Sequence, residues 1–270
     1  MSNTTQCNIV VCGSPRVGKT TLINALCQTQ VTTTSDSLNP HSNQTQKYIL
    51  KRPSLNEVES NEYYITIYDT PGIESWTKEH IQKYFNEIMT ESQPICMIYC
   101  ASPGSFARLD HLRWLIDTCI QSNIFCALVC TNKYAGGSQQ RKQILDDFDS
   151  VLSNYQNLKK EENEIIFYGE VGLRACVNSI PYEDTDLEIR RPIEGLDQLI
   201  FAILKSLKND KAVGWIYTIS QNESFWSNMS KSISTYYGIS HDMAVRIGRD
   251  YGKDIAKVLI PIILNSLFKK

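Results

Sequence analysis

The sequence lacks several features that mark specialised classes of protein. Its 270 residues include nine cysteines but no C-x-x-C pair, no run of about 20 apolar residues and no internal repeat. Zinc ribbons, membrane-spanning helices and repeat arrays are therefore not expected. An excess of one charge is also missing, because 27 Lys and Arg face 29 Asp and Glu. We accordingly expect no nucleic-acid partner.

The composition is that of a folded protein from a reducing compartment. Hydrophobic residues make up 42% of the chain, which is enough for a substantial core. Most cysteines lie inside apolar runs such as residues 96–100 and 124–130, as reduced and buried thiols do. Residues 1–6 contain no basic patch leading into an apolar run. We therefore predict a cytoplasmic protein.

Predicted strands alternate with predicted helices along most of the chain. Strands are predicted at 7–12, 47–51, 63–68, 95–101 and 124–131 and in a segment that ends near Val177. Helices are predicted at 19–26, 81–89, 108–121, 139–152 and 193–207. This alternation is typical of an α/β domain with a mostly parallel sheet and helices on both faces.

A change in composition near residue 210 divides the chain into two predicted parts. Residues 1–210 hold the α/β pattern, and residues 211–270 form a mainly helical C-terminal extension. Within the extension we expect an irregular stretch rich in Trp and Ser, followed by a helix from about His241.

A complete phosphate-binding loop, G-x-x-x-x-G-K-[ST], follows the first predicted strand. It consists of Gly13, Ser14, Pro15, Arg16, Val17, Gly18, Lys19 and Thr20, with Thr21 next in the helix. The glycines allow backbone N–H groups to surround phosphates, and the lysine reaches the β and γ phosphates. The threonine hydroxyl is a ligand for Mg²⁺.

A second motif, Asp69-Thr70-Pro71-Gly72, ends the predicted strand 63–68. A carboxylate at a strand end beside a phosphate loop can hold Mg²⁺ through water. The Gly72 amide is then placed to sense a γ-phosphate. We therefore predict a metal site formed by Thr20 and Asp69.

Together these residues resemble the P-loop GTPases of the translation-factor-related class, in its Era-like, septin-like, immunity-associated and dynamin-like branch. The resemblance extends over about residues 6–208. It implies a G domain that binds GTP or GDP with Mg²⁺. It also implies a threonine in the first switch loop that reaches the metal and the γ-phosphate. Thr45 is in the usual place for it, while Thr32, Thr33 and Thr34 remain alternatives.

The motif that reads the guanine base, [NT]-K-x-D in this class, is incomplete. Asn132 and Lys133 are present, but Ala135 stands where the family has an aspartate. The resemblance implies that Lys133 stacks along the base and that Asn132 ties its loop to Gly13. Asn178 falls where the last base-binding loop is expected. Guanine preference is thus implied by the family, and an ATP-using protein remains an alternative.

Two positions bear on hydrolysis. Ile73 replaces the glutamine that orients water in Ras-like enzymes. Arg16 occupies the loop position that carries an arginine finger in the guanylate-binding branch. Our hypothesis is that Arg16 acts in cis after dimerisation across the nucleotide face. The alternatives are an arginine that only steadies phosphate and a non-hydrolysing assembly module.

An apolar segment at residues 258–268 is too short to span a bilayer and contains Pro261. Lysines flank it at positions 253, 257, 269 and 270. We favour packing against the chain's own G domain over a protein interface, and a protein interface over membrane contact. The effector that would read the switch is not indicated by the sequence.

Overall fold

The computed structural model describes residues 6–28, 45–53, 62–72, 77–105, 109–156, 159–238 and 261. The strands in these ranges are β1 (Gln6–Gly13), β2 (Gln46–Pro53), β3 (Glu62–Asp69), β4 (Cys96–Ala101), β5 (Phe125–Cys130), β6 (Lys159–Glu162), β7 (Ile165–Tyr168), β8 (Gly172–Cys176), β9 (Tyr182–Asp184) and β10 (Ile189–Arg191). The helices are α1 (Lys19–Cys27), α2 (Lys78–Ser92), α3 (Leu109–Gln121), α4 (Ser138–Leu152), α5 (Leu196–Ser206), α6 (Asn209–Ile219) and α7 (Glu223–Tyr237).

Eight strands form one sheet in the order β2-β3-β1-β4-β5-β8-β7-β6. Five neighbouring strands, β3, β1, β4, β5 and β8, run parallel to one another. At one edge of the sheet, β2 pairs antiparallel with β3. Every residue of β4 and β5 is buried, as expected for parallel strands covered on both faces. The predicted α/β architecture is confirmed.

Alternate residues of β1 enter two separate apolar clusters, one on each face of the sheet. Ile9 and Val11 join the cluster built with α1, α5, α6 and α7. Val10 and Cys12 join the cluster built with α2, α3 and α4. The sheet is therefore held between two helical layers. Its carboxyl edge, where the parallel strands end, is left for the loops that carry the motifs.

Two hairpins add strands that the sequence pattern does not predict. β6 and β7 extend the sheet beyond β8, and their turn lies at its carboxyl edge. β9 and β10 form a separate two-stranded hairpin after β8. β6 is Lys-Lys-Glu-Glu and exposes most of its residues, so it carries no alternation of apolar and polar residues.

The stretch after residue 210 that we expected to be irregular is helical. α6 and α7 occupy most of residues 209–237 and contribute Trp215, Ile216, Phe225 and Trp226 to the same cluster as β1. Serine-rich sequence disfavours helix only weakly, and burial of these aromatic rings outweighs it. Among the described residues, no helix is long and apolar enough to cross a membrane. The helix expected from His241 and, apart from Pro261, the segment 258–268 lie outside the described residues.

Candidate nucleotide-binding site

The phosphate loop connects the end of β1 to the start of α1. Gly13 has φ +131°, and a Cβ there would lie 1.9 Å from the carbonyl oxygen of Cys100 on the neighbouring strand. Gly18 has φ +85° and precedes the first helical residue. Both positions need glycine, the first because of close backbone approach and the second because of its left-handed conformation. Arg16 is also left-handed, with φ 60°, and its side chain is exposed.

Lys19 is buried and folds its side chain back over the loop. Its Nζ donates hydrogen bonds to the carbonyl oxygens of Ser14 at 2.8 Å and Gly13 at 3.4 Å. α1 has no side-chain cap and no acidic residue in its first turn. The helix N-terminus therefore presents N–H groups that α1 itself cannot pair, and positive potential, next to an ammonium group, which is the electrostatic environment that binds phosphate.

Thr20 and Asp69 meet across the site. The Thr20 hydroxyl donates to Oδ2 of Asp69 at 2.6 Å. β3 pairs in register with β1, and the N–H of Thr70 donates to the carbonyl of Val11 at 3.0 Å, which fixes the carboxylate beside the loop. Burial raises the pKa of Asp69, opposed by the Thr20 hydrogen bond and the charge of Lys19. The predicted metal-binding pair is thus brought together.

Gly72 packs directly on the phosphate loop. A Cβ at this position would lie 2.4 Å from Cδ and 2.6 Å from the nitrogen of Pro15. Only a residue without a side chain permits this contact. The second motif is therefore in steric contact with the first.

The candidate switch threonine makes a different contact from the one expected. The hydroxyl of Thr45 is hydrogen-bonded to the hydroxyl of Tyr84 on α2. Burial raises the pKa of that Tyr84 phenol. The three alternative threonines, at 32 to 34, and Ile73 lie outside the described residues.

The base loop after β5 is joined to the phosphate loop by two side chains. Thr131 donates through its hydroxyl to the carbonyls of Ala101, at 3.0 Å, and of Val17. Asn132, with φ 51°, lies beside Gly18, where a Cβ would be 3.3 Å from Oδ1. The amide is thus next to Gly18, whereas the resemblance implies a tie to Gly13. Thr131 was missed because a threonine at a strand end is not a distinctive signal.

Lys133 is held by two carboxylates. Its Nζ is 2.6 Å from Oε1 of Glu194 and 2.9 Å from Oε2 of Glu164, and its side chain is 13% exposed. Burial alone would lower the pKa of Lys133, but the hydrogen bonds to these carboxylates outweigh it and the pKa is raised. Its ammonium is therefore engaged with Glu164 and Glu194. The stacking of Lys133 along a base stays a prediction.

Asn178 uses its polar groups within the protein. Its N–H and carbonyl pair with Glu194 at 2.8 and 3.0 Å, and its side-chain amide donates to the carbonyls of Ile180 at 2.5 Å and Pro192 at 3.0 Å. Asn178 therefore supports the loop that carries Glu194. Its predicted contact with the base is untested.

The neighbourhood offers few other candidate ligands. Within the described ranges, no group of three or more His, Cys, Asp or Glu side chains is arranged to hold a metal ion. Magnesium in phosphate sites takes only one or two protein ligands, so Thr20 and Asp69 suit it.

A surface cavity of about 530 Å³ lies at the opposite edge of the sheet, between the amino ends of β5 and β8 and the start of α6. None of its lining residues belongs to the motifs.

One family model matches the part of the chain that carries both motifs. Residues 8–132 match the family model described as 50S ribosome-binding GTPase. No curated protein matches the chain.

Solved structures that resemble the chain are distant in sequence. Translation elongation factor SelB from Methanococcus maripaludis, in complex with a GTP analogue, is 16% identical, with 76% of this chain and 34% of SelB covered and a TM-score of 0.42. Era from Aquifex aeolicus, bound to GDP and AlF4⁻, is 18% identical, with 76% and 58% covered and a TM-score of 0.45. A septin GTPase domain from Chlamydomonas reinhardtii is 14% identical, with 71% and 83% covered and a TM-score of 0.41.

The chain spans about a third of the length of SelB and a little more than half of Era. Three observations lead to one assignment. They are the complete phosphate loop between its strand and helix, the Asp69 carboxylate beside that loop, and the family match from residue 8 to residue 132. The part of the chain that the family model matches, residues 8–132, belongs to the P-loop GTPases of the translation-factor-related class.

Proposed function

We propose that this protein binds guanine nucleotide together with Mg²⁺ and hydrolyses GTP slowly to GDP and phosphate, acting as a switch. The observation that supports this most directly is the 2.6 Å contact between Thr20 and Asp69 beside the buried ammonium of Lys19. A hydroxyl, a carboxylate and an ammonium at one helix N-terminus match the chemistry of a nucleotide phosphate with its metal.

The loop from Gly13 to Thr21 would bind the phosphates. Its backbone N–H groups and the start of α1 donate to phosphate oxygens. Lys19, which now donates to the carbonyls of Ser14 and Gly13, reaches the β and γ phosphates. Because the ammonium is already held over the loop, little side-chain ordering is needed when phosphate arrives.

The metal would be held by the hydroxyl of Thr20 and, through water, by the carboxylate of Asp69. When bound, Mg²⁺ neutralises charge on the β and γ phosphates. Asp69 must be ionised for this role. The charge of Lys19 favours that ionised form against the effect of burial.

Two residues would respond to a γ-phosphate. Gly72, whose amide would be the sensor, packs on the loop at Pro15. Thr45 would have to leave the Tyr84 hydroxyl to reach the metal. The contacts of Thr45 and Gly72 would then differ between the triphosphate and the diphosphate, which an effector can read.

Arg16 carries our proposal for catalysis. It is exposed at the rim of the loop, and within the described ranges no hydrogen bond or ion pair holds its guanidinium. A second copy that covers the nucleotide face would order Arg16 over the γ-phosphate, where its charge stabilises the transition state in cis. This makes dimerisation the activating step. We place the reaction in the cytoplasm, in keeping with nine free cysteines in a reducing environment.

The test is a calorimetric titration of nucleotide-free protein with GDP and with ADP, each with Mg²⁺. We expect GDP to bind at least about a hundredfold more tightly, a difference of about 2.7 kcal/mol. Lys19→Ala should abolish binding of both nucleotides, which identifies the site. Equal affinity, or preference for ADP, would contradict the guanine assignment and favour an ATP-using protein.

A non-hydrolysing assembly module is the second candidate, favoured by the Thr45–Tyr84 contact, which holds the switch threonine on α2. Phosphate release measured over a range of protein concentrations separates the two. Tight GDP binding with no turnover at any concentration would favour the module. Turnover that rises with protein concentration would support the dimer-activated enzyme.

A further inference from the structure

The base loop lacks the acceptor that guanine needs. Guanine presents two neighbouring donors, N1–H and the 2-amino group, and a carboxylate can accept from both. At position 135 the chain has alanine, whose N–H donates to the carbonyl of Asn132 at 2.8 Å in a tight turn. A guanine edge left without an acceptor would lose most of the discrimination against adenine.

A carboxylate from a distant part of the chain lies at this loop. Oε1 of Glu194 is 2.6 Å from Nζ of Lys133, and Oε2 accepts a hydrogen bond from the hydroxyl of Tyr134. Both oxygens therefore face the two residues that directly precede Ala135. The Glu194 side chain is 39% exposed, so a ligand can reach it.

The backbone of Glu194 is fixed by the loop after β8. It forms an antiparallel bridge with Asn178, with hydrogen bonds of 2.8 and 3.0 Å. The next residue, Gly195, has φ +78° and lies so close to β8 that a Cβ would be 2.5 Å from the carbonyl of Cys176. The backbone that carries this carboxylate is therefore fixed next to the end of β8.

We propose that Glu194 is the residue that reads the guanine base, replacing the carboxylate that position 135 lacks. The inference rests on the proposed guanine-nucleotide function and names its specificity-determining residue. A carboxylate has about four acceptor positions, and Lys133 and Tyr134 occupy two of them. The other two accept from N1–H and the 2-amino group. Adenine offers no donor at either position and is rejected.

A second group at the same loop is ready for a ligand. Ser179 follows Asn178, is 8% exposed, and its hydroxyl is buried without a hydrogen-bond partner in the described part of the chain. A buried hydroxyl left unpaired costs free energy that a bound polar group would recover. Guanine carries an O6 acceptor that suits such a donor. The loop that positions Glu194 thus also carries an unpaired donor.

Glu164, the other carboxylate on Lys133, serves as the matched control. It lies in the turn between β6 and β7, its side chain is 75% exposed, and it forms an ion pair with Lys133. Glu164→Gln removes a carboxylate from the same ammonium while leaving Glu194 in place. The two variants therefore share the loss of charge around Lys133 and differ in the proposed base contact.

The experiment is titration of wild type, Glu194→Gln and Glu164→Gln with GDP, ADP and xanthosine diphosphate, each with Mg²⁺. An amide at position 194 turns one acceptor into a donor, which fits the 2-oxo group of xanthine in place of the 2-amino group of guanine. We expect Glu194→Gln to lose at least about a hundredfold in GDP affinity and to gain affinity for xanthosine diphosphate. Glu164→Gln should keep the wild-type order of affinities.

The outcomes separate this inference from the proposed function. GDP selectivity in wild type that persists in Glu194→Gln would overturn the role of Glu194 and leave the proposed function standing. Equal affinity of wild type for GDP and ADP would overturn both. Thermal melting of each variant checks folding. If Glu194→Gln does not fold, Tyr134→Phe, which frees one carboxylate oxygen, should alter GDP affinity by several-fold, and no change would count against the proposal.

Discussion

The side-chain amide of Asn222 donates a hydrogen bond to the carbonyl oxygen of Leu26 at 2.9 Å, joining the end of α1 to the start of α7. The same amide donates to the carbonyl of Ala25 at 3.0 Å, and its Oδ1 accepts from the N–H of Phe225 at 3.0 Å. One buried side chain therefore pairs two carbonyls near the end of α1 and one N–H in the first turn of α7.

Asn222→Ala should lower the free energy of unfolding by about 1–3 kcal/mol, because it leaves buried carbonyls and an N–H without partners. Urea denaturation measures the change. Asn228→Ala removes an exposed amide that contacts Asp197 at 2.9 Å and should change stability by less than about 0.5 kcal/mol. Equal effects of the two substitutions would contradict the capping role of Asn222.

Truncation after residue 210 should yield a chain that does not fold cooperatively. The cut removes Trp215 and Trp226, both 0% exposed, from the cluster that also covers β1 and α1. Losing one such ring costs about 3–5 kcal/mol, and a domain has only about 5–15 kcal/mol in total. Truncation after residue 238 keeps both rings and should fold. Cooperative thermal unfolding of residues 1–210 would instead support an autonomous G domain that ends there.

Gly72→Ala should weaken binding of a non-hydrolysable GTP analogue by about tenfold or more and weaken GDP binding less. The added methyl group overlaps Pro15, and the amide of residue 72 is displaced from the position proposed to sense the γ-phosphate. Gly137→Ala is the matched control, since a Cβ there would meet nothing within 4 Å. Equal losses for the analogue and GDP would argue against a γ-phosphate sensor.

Arg16→Ala should reduce the single-turnover rate of GTP hydrolysis by about a thousandfold while leaving GDP affinity within a few-fold of wild type. The reason is that the guanidinium is proposed to act on charge that develops only in the transition state. An unchanged rate would leave Arg16 as an arginine that only steadies phosphate.

Cys176 should react with a thiol reagent before the other cysteines. It is the one cysteine of the nine that is not fully buried, and it pairs in register with Cys130. The hydrogen bond from Cys130 and the charges of Lys133 and Arg141 lower the pKa of Cys176 against the effect of burial. By contrast, burial raises the pKa of Cys27 to about 12.

Because the thiolate is the reactive form, labelling of Cys176 should begin at a lower pH than that of an ordinary thiol. Cys176→Ser should remove the fast fraction in a colorimetric thiol assay, and Cys27→Ser should leave it intact. A fast fraction that survives Cys176→Ser would contradict the assignment.

The phosphate loop and the Asp69 motif could be predicted from the sequence because their signals are local. The phosphate loop is a continuous motif flanked by an apolar strand and a helix, and Asp69 ends the strand β3. The two hairpins have no such signal, since β6 and β10 are short and largely exposed. Their pairing depends on contacts that only the folded chain creates.

The proposed base site likewise depends on contacts between distant parts of the chain that the sequence does not reveal. Asn132 and Lys133 stand in a recognisable order, but Glu194 reaches them only because β8 and the Asn178 bridge bring its segment to the carboxyl edge. No spacing in the sequence links position 194 to position 135. Likewise the helices that hold Trp215 and Trp226 follow from tertiary burial and not from the propensity of a serine-rich segment.

The hydrogen bond between Thr45 and Tyr84 gives the proposed switch threonine a competing partner inside the protein. A triphosphate that recruited Thr45, as proposed, would first have to break this bond, so its observed affinity would be scaled by the fraction of molecules in which the bond is open. Because Tyr84 belongs to α2, the helix after Gly72, breaking the bond would free Thr45 from the helix that follows the second motif. In this proposal the nucleotide state becomes a choice between two partners for a single hydroxyl.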